Sequence, residues 1–154
     1  MRYWLMKSEP RECSFDDVLA APKRTTAWTG VRNYQARNFM RDAMRPGDGV
    51  LFYHSSCAEP GIAGIAEVAS TAYPDPTQFD PESPYYDPRA TRAAPRWVCV
   101  DVRALRRIPF IGLSELRRHA ALRDMTVLRR GNRLSITPVT AAEWRYIVQK
   151  LARA

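Results

Sequence analysis

The chain has 154 residues, 45% of them hydrophobic and 26% charged, which is the composition of a globular protein with room for one domain over residues 1–154. Its 24 Lys and Arg against 16 Asp and Glu leave a net charge of +8. That surplus favours a polyanionic partner, because each neutralised phosphate releases condensed counterions. No run approaches the roughly 18 apolar residues of a membrane helix, and residues 1–7 lack the apolar stretch of a signal peptide. No membrane partner is therefore expected, and the cytoplasm is the default location. Cys13, Cys57 and Cys99 form no Cys-x-x-Cys pair, so neither a disulfide framework, a metal site nor a cofactor is expected.

In chain order, residues 3–6 (Tyr-Trp-Leu-Met) read as a buried first strand. Residues 14–21 read as a short helix capped by Ser14, with Asp17 in its first turn. A polar loop over residues 22–26 then delivers Trp28. From Asn33 to about Met44 the pattern is helical, with Asn33 placed to cap it. Pro46-Gly47-Asp48 supplies a turn, and strands at 49–54 and 63–69 are expected to pair antiparallel. Gly61 and Gly64 permit a tight turn and close backbone approach there.

Residues 73–95 carry Pro74, Pro76, Pro81, Pro84, Pro88 and Pro95, which forbid a continuous helix or central strand. Phe79, Tyr85 and Tyr86 in the same stretch point to an ordered, packed loop. A strand is expected at 97–102, a helical turn or two at 113–119, and a last strand at 133–137. Thr140 to Glu143 is a capping box, and Trp144, Ile147, Val148 and Leu151 fall at helical spacing behind it. The order predicts an α+β domain with a small, strongly bent mixed sheet, and no Gly-rich phosphate loop is present.

Several segments carry a resemblance that runs the length of the chain. They are residues 3–10 (Tyr-Trp-Leu-Met-Lys-Ser-Glu-Pro), residues 28–38 from Trp28 to Asn38, and residues 52–55 followed by 60–64. Residues 85–88 with 95–97, 128–131 and 134–139 complete the set, and residues 104–124 contribute nothing distinctive. In these the chain resembles the EVE domain family of the PUA-like group, which is similar to the YTH readers of methylated adenine. The resemblance implies a PUA-like bent mixed β-barrel with flanking helices. It also implies RNA or DNA carrying a modified base as the partner, and the word "modified" rests on it alone.

Trp28 lies in a Thr- and Gly-flanked loop, where its indole is either a stacking face for a base, at roughly 1–3 kcal/mol per base, or an edge-of-core residue. Tyr85, Tyr86 and Trp97 are candidates for further walls of an aromatic cage, although Trp97, in a strand, is equally placed to face the core. Gly30, Val31 and Asn33 are candidates for reading the base edge, and Asn33 is equally a plain helix cap. Lys7 and Ser8 end the first strand at the expected mouth and suit a phosphate. Tyr53, His54 and Ser55 end another strand beside them. His54 stands alone in sequence and reads as a hydrogen-bonding residue, not a metal ligand. Arg32, Arg37, Arg129 and Arg130 are the best phosphate partners, given the forked guanidinium.

The function expected from these residues is a non-catalytic reader that takes a flipped or single-stranded base, acting as a monomer with any effector a separate protein. The rival is a small hydrolase acting on a modified nucleoside through Lys7, Ser8 and Glu67, or through a Cys57–His54 thiol dyad.

Overall fold

The computed structural model describes residues 1–153. Its organising element is a curled, six-stranded mixed sheet in the order β2-β7-β4-β3-β1-β8. The strands are β1 (Tyr3–Ser8), β2 (Thr25–Ala27), β3 (Gly49–His54), β4 (Gly61–Val68), β7 (Asp101–Gly112) and β8 (Ile136–Val139). A separate two-stranded ribbon pairs β5 (Tyr73–Pro74) with β6 (Val98–Cys99).

β1 and β3 run parallel, from Tyr3 opposite Gly49 to Ser8 opposite His54. The chain between them supplies the required crossover: helix α1 (Phe15–Ala20), β2, and helix α2 (Tyr34–Asn38) with its wider continuation Phe39–Ala43. The expected antiparallel pairing of β3 with β4 is present, with a bulge between Phe52 and Tyr53. Two more irregularities interrupt β4 against β7, and such bulges sharpen the local twist that curls the sheet into a half-barrel.

Both sheet faces are covered, so the central stretches of β1 (residues 4–6) and β3 (residues 50–53) are continuously apolar and not alternating with polar residues. Period-two geometry still sorts their side chains. Trp4, Met6, Val50 and Phe52 join Phe15, Val18 and Trp28 on one face. Leu5, Leu51 and Tyr53 join Ile62, Ile111, Leu116 and Ile147 on the other. At Gly64 a Cβ would meet the Phe15 ring at 2.2 Å, so only glycine lets α1 sit this close to β4.

The helix caps follow the sequence reading. The Ser14 hydroxyl accepts from Asp17 N–H while the Asp17 carboxylate accepts from Ser14 N–H, and Thr140 with Glu143 repeats the arrangement at α4 (Ala141–Tyr146). Trp144 of α4 stacks on Tyr3 with ring centroids 4.6 Å apart.

Several boundaries differ from expectation: the loop expected at 22–26 contains a helical turn at Pro22–Arg24 and the start of β2, and β4 runs over Gly61–Val68 and not 63–69. The strand expected at 97–102 splits into β6 and β7, and β7 runs on to Gly112 before α3 (Leu113–Leu116). Exposed Arg103, Leu105, Arg106, Arg107 and Phe110, together with the bulges, erase the alternation that would have marked it. The last strand begins at Ile136, not Arg133, which leaves residues 129–135 as a loop.

Candidate nucleic-acid interface

A cavity of about 760 Å³ opens where the C-terminal end of β1, the loop after β2, the loop after β3 and Tyr85 converge. That size suits a small-ligand pocket. Of the sequence candidates, Lys7, Ser8, Trp28, Gly30, Val31, Arg32, Asn33, Ser55 and Tyr85 line it.

Trp28 is placed by strand pairing. Its backbone N–H donates to Val100 O at 2.8 Å, extending the β2–β7 ladder by one residue. The indole packs edge-on against Phe52 at 5.2 Å and is only 7% exposed, so the ring is anchored in the core as well as lining the cavity. The edge-of-core alternative is thus realised, in a residue that also borders the cavity. The indole N–H groups of Trp4 and Trp97 donate to Asp48 and Asp87. That of Trp28 meets no acceptor among the described residues, where no buried polar side-chain atom is left unpaired; it therefore reaches the cavity.

Tyr85 forms another part of the cavity wall. Gly30 adopts φ +87°, and a Cβ there would lie 2.8 Å from the Tyr85 ring, so glycine is needed both for the turn and for the contact. Gly30 N–H donates to Asp75 Oδ2 at 2.8 Å. The Tyr85 hydroxyl donates to the Glu12 carboxylate, 2.7 Å from Oε2. Partial burial and this carboxylate push the Tyr85 phenol up to about 12.

The floor carries the polar ends of β1 and the loop after β3. The Ser8 hydroxyl donates to Cys13 O at 2.6 Å, and Ser55 N–H donates to Ser8 O at 3.0 Å. The Lys7 ammonium has no hydrogen bond or ion pair among the described residues, and burial holds its pKa below the ordinary lysine value. Asn33 Oδ1 caps α2 by accepting from Ala36 N–H at 3.1 Å, so Asn33 is a cap and a rim residue together.

The structure moves other candidates away. Trp97 is 6% exposed and sits behind the wall, stacked on Tyr34 at 4.8 Å with its indole N–H on Asp87. Tyr86 is exposed outside the cavity. Tyr53 is buried on the opposite sheet face, where its place in the β3 alternation puts it. His54 accepts Phe15 N–H through Nε2 at 3.1 Å, which supports α1, and burial lowers its pKa.

Arg32 and Arg37 are structural. Arg32 donates to Asp75 at 3.1 Å, to Thr77 at 3.0 Å and to Tyr85 O at 2.7 Å. Arg37 donates to Asn38 Oδ1 and Arg96 O while lying over Tyr34. Arg129 and Arg130 lie outside the cavity, in a neighbouring hollow.

Sequence reasoning missed Glu9, Glu12, Cys13, Thr26, Ala27, Thr29, Ser56, Arg133 and Ser135, which complete the lining. Thr26, Ala27 and Thr29 were within reach, being neighbours of Trp28 in one segment. Glu12, Arg133 and Ser135 arrive by tertiary folding and left no local signal.

The catalytic alternatives are not assembled. Glu67 pairs with Arg103 and lies opposite Gly49 in β3, whereas Lys7 lies opposite Tyr53, four residues along that strand. At roughly 3.3 Å per residue that is about 13 Å along the sheet. His54 Nε2 is already engaged, and Cys57 Sγ donates to Glu59 O, so no thiol–imidazole pair forms.

The curled mixed sheet with its few helices is a PUA-like α+β fold. The sequence model of the EVE domain matches residues 2–150, and the chain belongs to the EVE domain family. Human thymocyte nuclear protein 1 is 44% identical over 164 residues, which cover 95% of this chain and 72% of that protein. The structure of human THYN1 protein in complex with 5-methylcytosine containing DNA is 42% identical, with a TM-score of 0.92 over 100% of this chain and 99% of that one. A protein of Pseudomonas syringae is 47% identical, with a TM-score of 0.90 over 96% of this chain and 97% of its own.

These relatives correct the cytoplasmic default, since the human, mouse and rat proteins at 43–44% identity are named as nuclear. The default rested on missing membrane and secretion signals, which do not distinguish cytoplasm from nucleus.

Proposed function

We propose that this chain is a reader of a modified base in nucleic acid, seated in the cavity between Trp28 and Tyr85, and that it performs no catalysis. The observation that carries this reading is the Trp28 indole: fixed by the core on one side, and presenting an unpaired N–H to an open cavity on the other. A base set against it gains stacking contact and an acceptor partner for that N–H. Val31, 5% exposed, supplies apolar lining for a methyl group. The unpaired ammonium of Lys7 suits a carbonyl or phosphate oxygen. The family relative bound to 5-methylcytosine containing DNA supports the ligand class.

Fluorescence titration with short oligodeoxynucleotides carrying one central 5-methylcytosine or plain cytosine tests it. The methylated strand binds more tightly, and Trp28→Phe, which keeps most of the core contact, lowers the preference. Equal binding of a panel of modified and plain bases, unchanged by Trp28→Phe, overturns the reading. Mass spectrometry of the recovered oligonucleotide shows it intact; turnover removes the non-catalytic part.

A further inference from the structure

The arginines around the cavity fall into two groups. Arg32, Arg37 and Arg96 are directed inward, to Asp75, to Asn38, and to the Tyr34 hydroxyl and Asp87. Arg129, Arg130 and Arg133 are exposed, and their guanidinium groups donate to nothing among the described residues.

All three lie in the loop between Leu128 and Ile136, which is itself held in shape. The Asn132 amide donates to Thr126 O at 3.2 Å, and its Oδ1 accepts from Leu134 N–H at 3.1 Å. The loop borders two hollows. Arg133 and Ser135 line the main cavity, while Arg129, Arg130, Asn132 and Leu134 line a second hollow of about 420 Å³. The other wall behaves alike: Asn33 belongs to the main cavity, and Gln35, two residues on, to the second. The hollows therefore share both walls and lie side by side, with unpaired arginines along one of them.

We infer that this loop is the track for the phosphodiester backbone leaving the cavity. With one base against Trp28, the phosphates on one side of it cross Arg133 towards Arg129 and Arg130. The side held by Arg32, Arg37 and Arg96 carries none, because those guanidinium groups are already bonded within the protein. The inference rests on the main cavity being a base site, and it adds the direction in which the strand exits.

The test compares Arg129→Gln/Arg130→Gln/Arg133→Gln with a control of equal charge, Arg117→Gln/Arg118→Gln/Arg123→Gln, whose residues line neither hollow. The probe is the single-stranded oligonucleotide with one 5-methylcytosine, titrated between about 50 and 200 mM salt. The loop variant reduces the slope of log affinity against log salt by about 2–3, near one per phosphate contact, and leaves the ratio of methylated to plain affinity unchanged. Neutral methylphosphonate linkages on one side of the modified base weaken binding to the unaltered protein but not to the loop variant. A slope that falls no further in the loop variant than in the control overturns the track. So does equal weakening from neutral linkages on either side. An affinity ratio of one in the unaltered protein sinks the base site instead, and the slopes still decide the track.

Discussion

Two irregular stretches of this chain, residues 73–97 and 129–135, both border the cavity and both carry or receive arginines, yet they use them in opposite ways. In the first, Asp75 is fully buried, and its two oxygens accept from Gly30 N–H, Arg32, and the N–H and hydroxyl of Thr77. Beside it Gln78, also buried, donates to Asp75 O and Trp97 O and accepts from the N–H groups of Arg96 and Trp97. Every polar atom of that knot has a partner, which is what lets a loop with six prolines pack as a wall. The second stretch has no buried carboxylate, and its guanidinium groups face outward. The same residue type is bonded into the fold where a buried acid awaits it and left facing outward where none does.

The largest expected effect breaks the wall. Asp75→Ala removes the counter-charge of the Arg32 guanidinium, which keeps only neutral acceptors at Thr77 and Tyr85 O, leaves the Gly30 and Thr77 N–H groups unpaired, and costs about 3–5 kcal/mol in urea unfolding. A loss below about 1 kcal/mol would mean the knot is dispensable. Next, Gly30→Ala forces a positive φ on a residue with a Cβ and presses it on the Tyr85 ring, for about 1–3 kcal/mol by thermal melt, with loss of modified-base preference.

A smaller effect sharpens the role of Tyr85. Burial first, and the Glu12 carboxylate second, raise its phenol in the fold to about 12 from an ordinary 10, so the neutral, hydrogen-bonded form supports the fold fully below pH 10. That support fades as pH rises from 10 through 12. Tyr85→Phe therefore flattens the stability profile over that window, and spectrophotometric titration loses one tyrosine that ionises near pH 12. The smallest effect on stability belongs to the arginine loop. Arg129→Gln, Arg130→Gln and Arg133→Gln each stay within about 0.5 kcal/mol of the parent, because no bond within the fold is lost. A substantial destabilisation there would show that the loop is scaffold after all, and the comparison would collapse.

The sequence by itself determined the elements whose signals are local. Ser14 and Thr140 announced their helices because a cap needs only its own first turn. The apolar runs of β1 and β3 and the turn at residues 46–48 were legible for the same reason. Trp28 stood out because an indole between Thr and Gly has no stripe to belong to, and it does line the cavity. Tertiary structure alone decided the rest, because the deciding partners lie far apart in sequence. Whether Arg32 meets a phosphate or Asp75, 43 positions away, depends on the fold. Trp97 lost its place as a wall to Asp87 and Tyr34, and Tyr53 lost its place beside the mouth to strand alternation. Arg133, taken for a strand residue, became part of the cavity when β8 began later than its pattern suggested. Residue type sets what a side chain can bond to; only the packed chain sets which partner reaches it first.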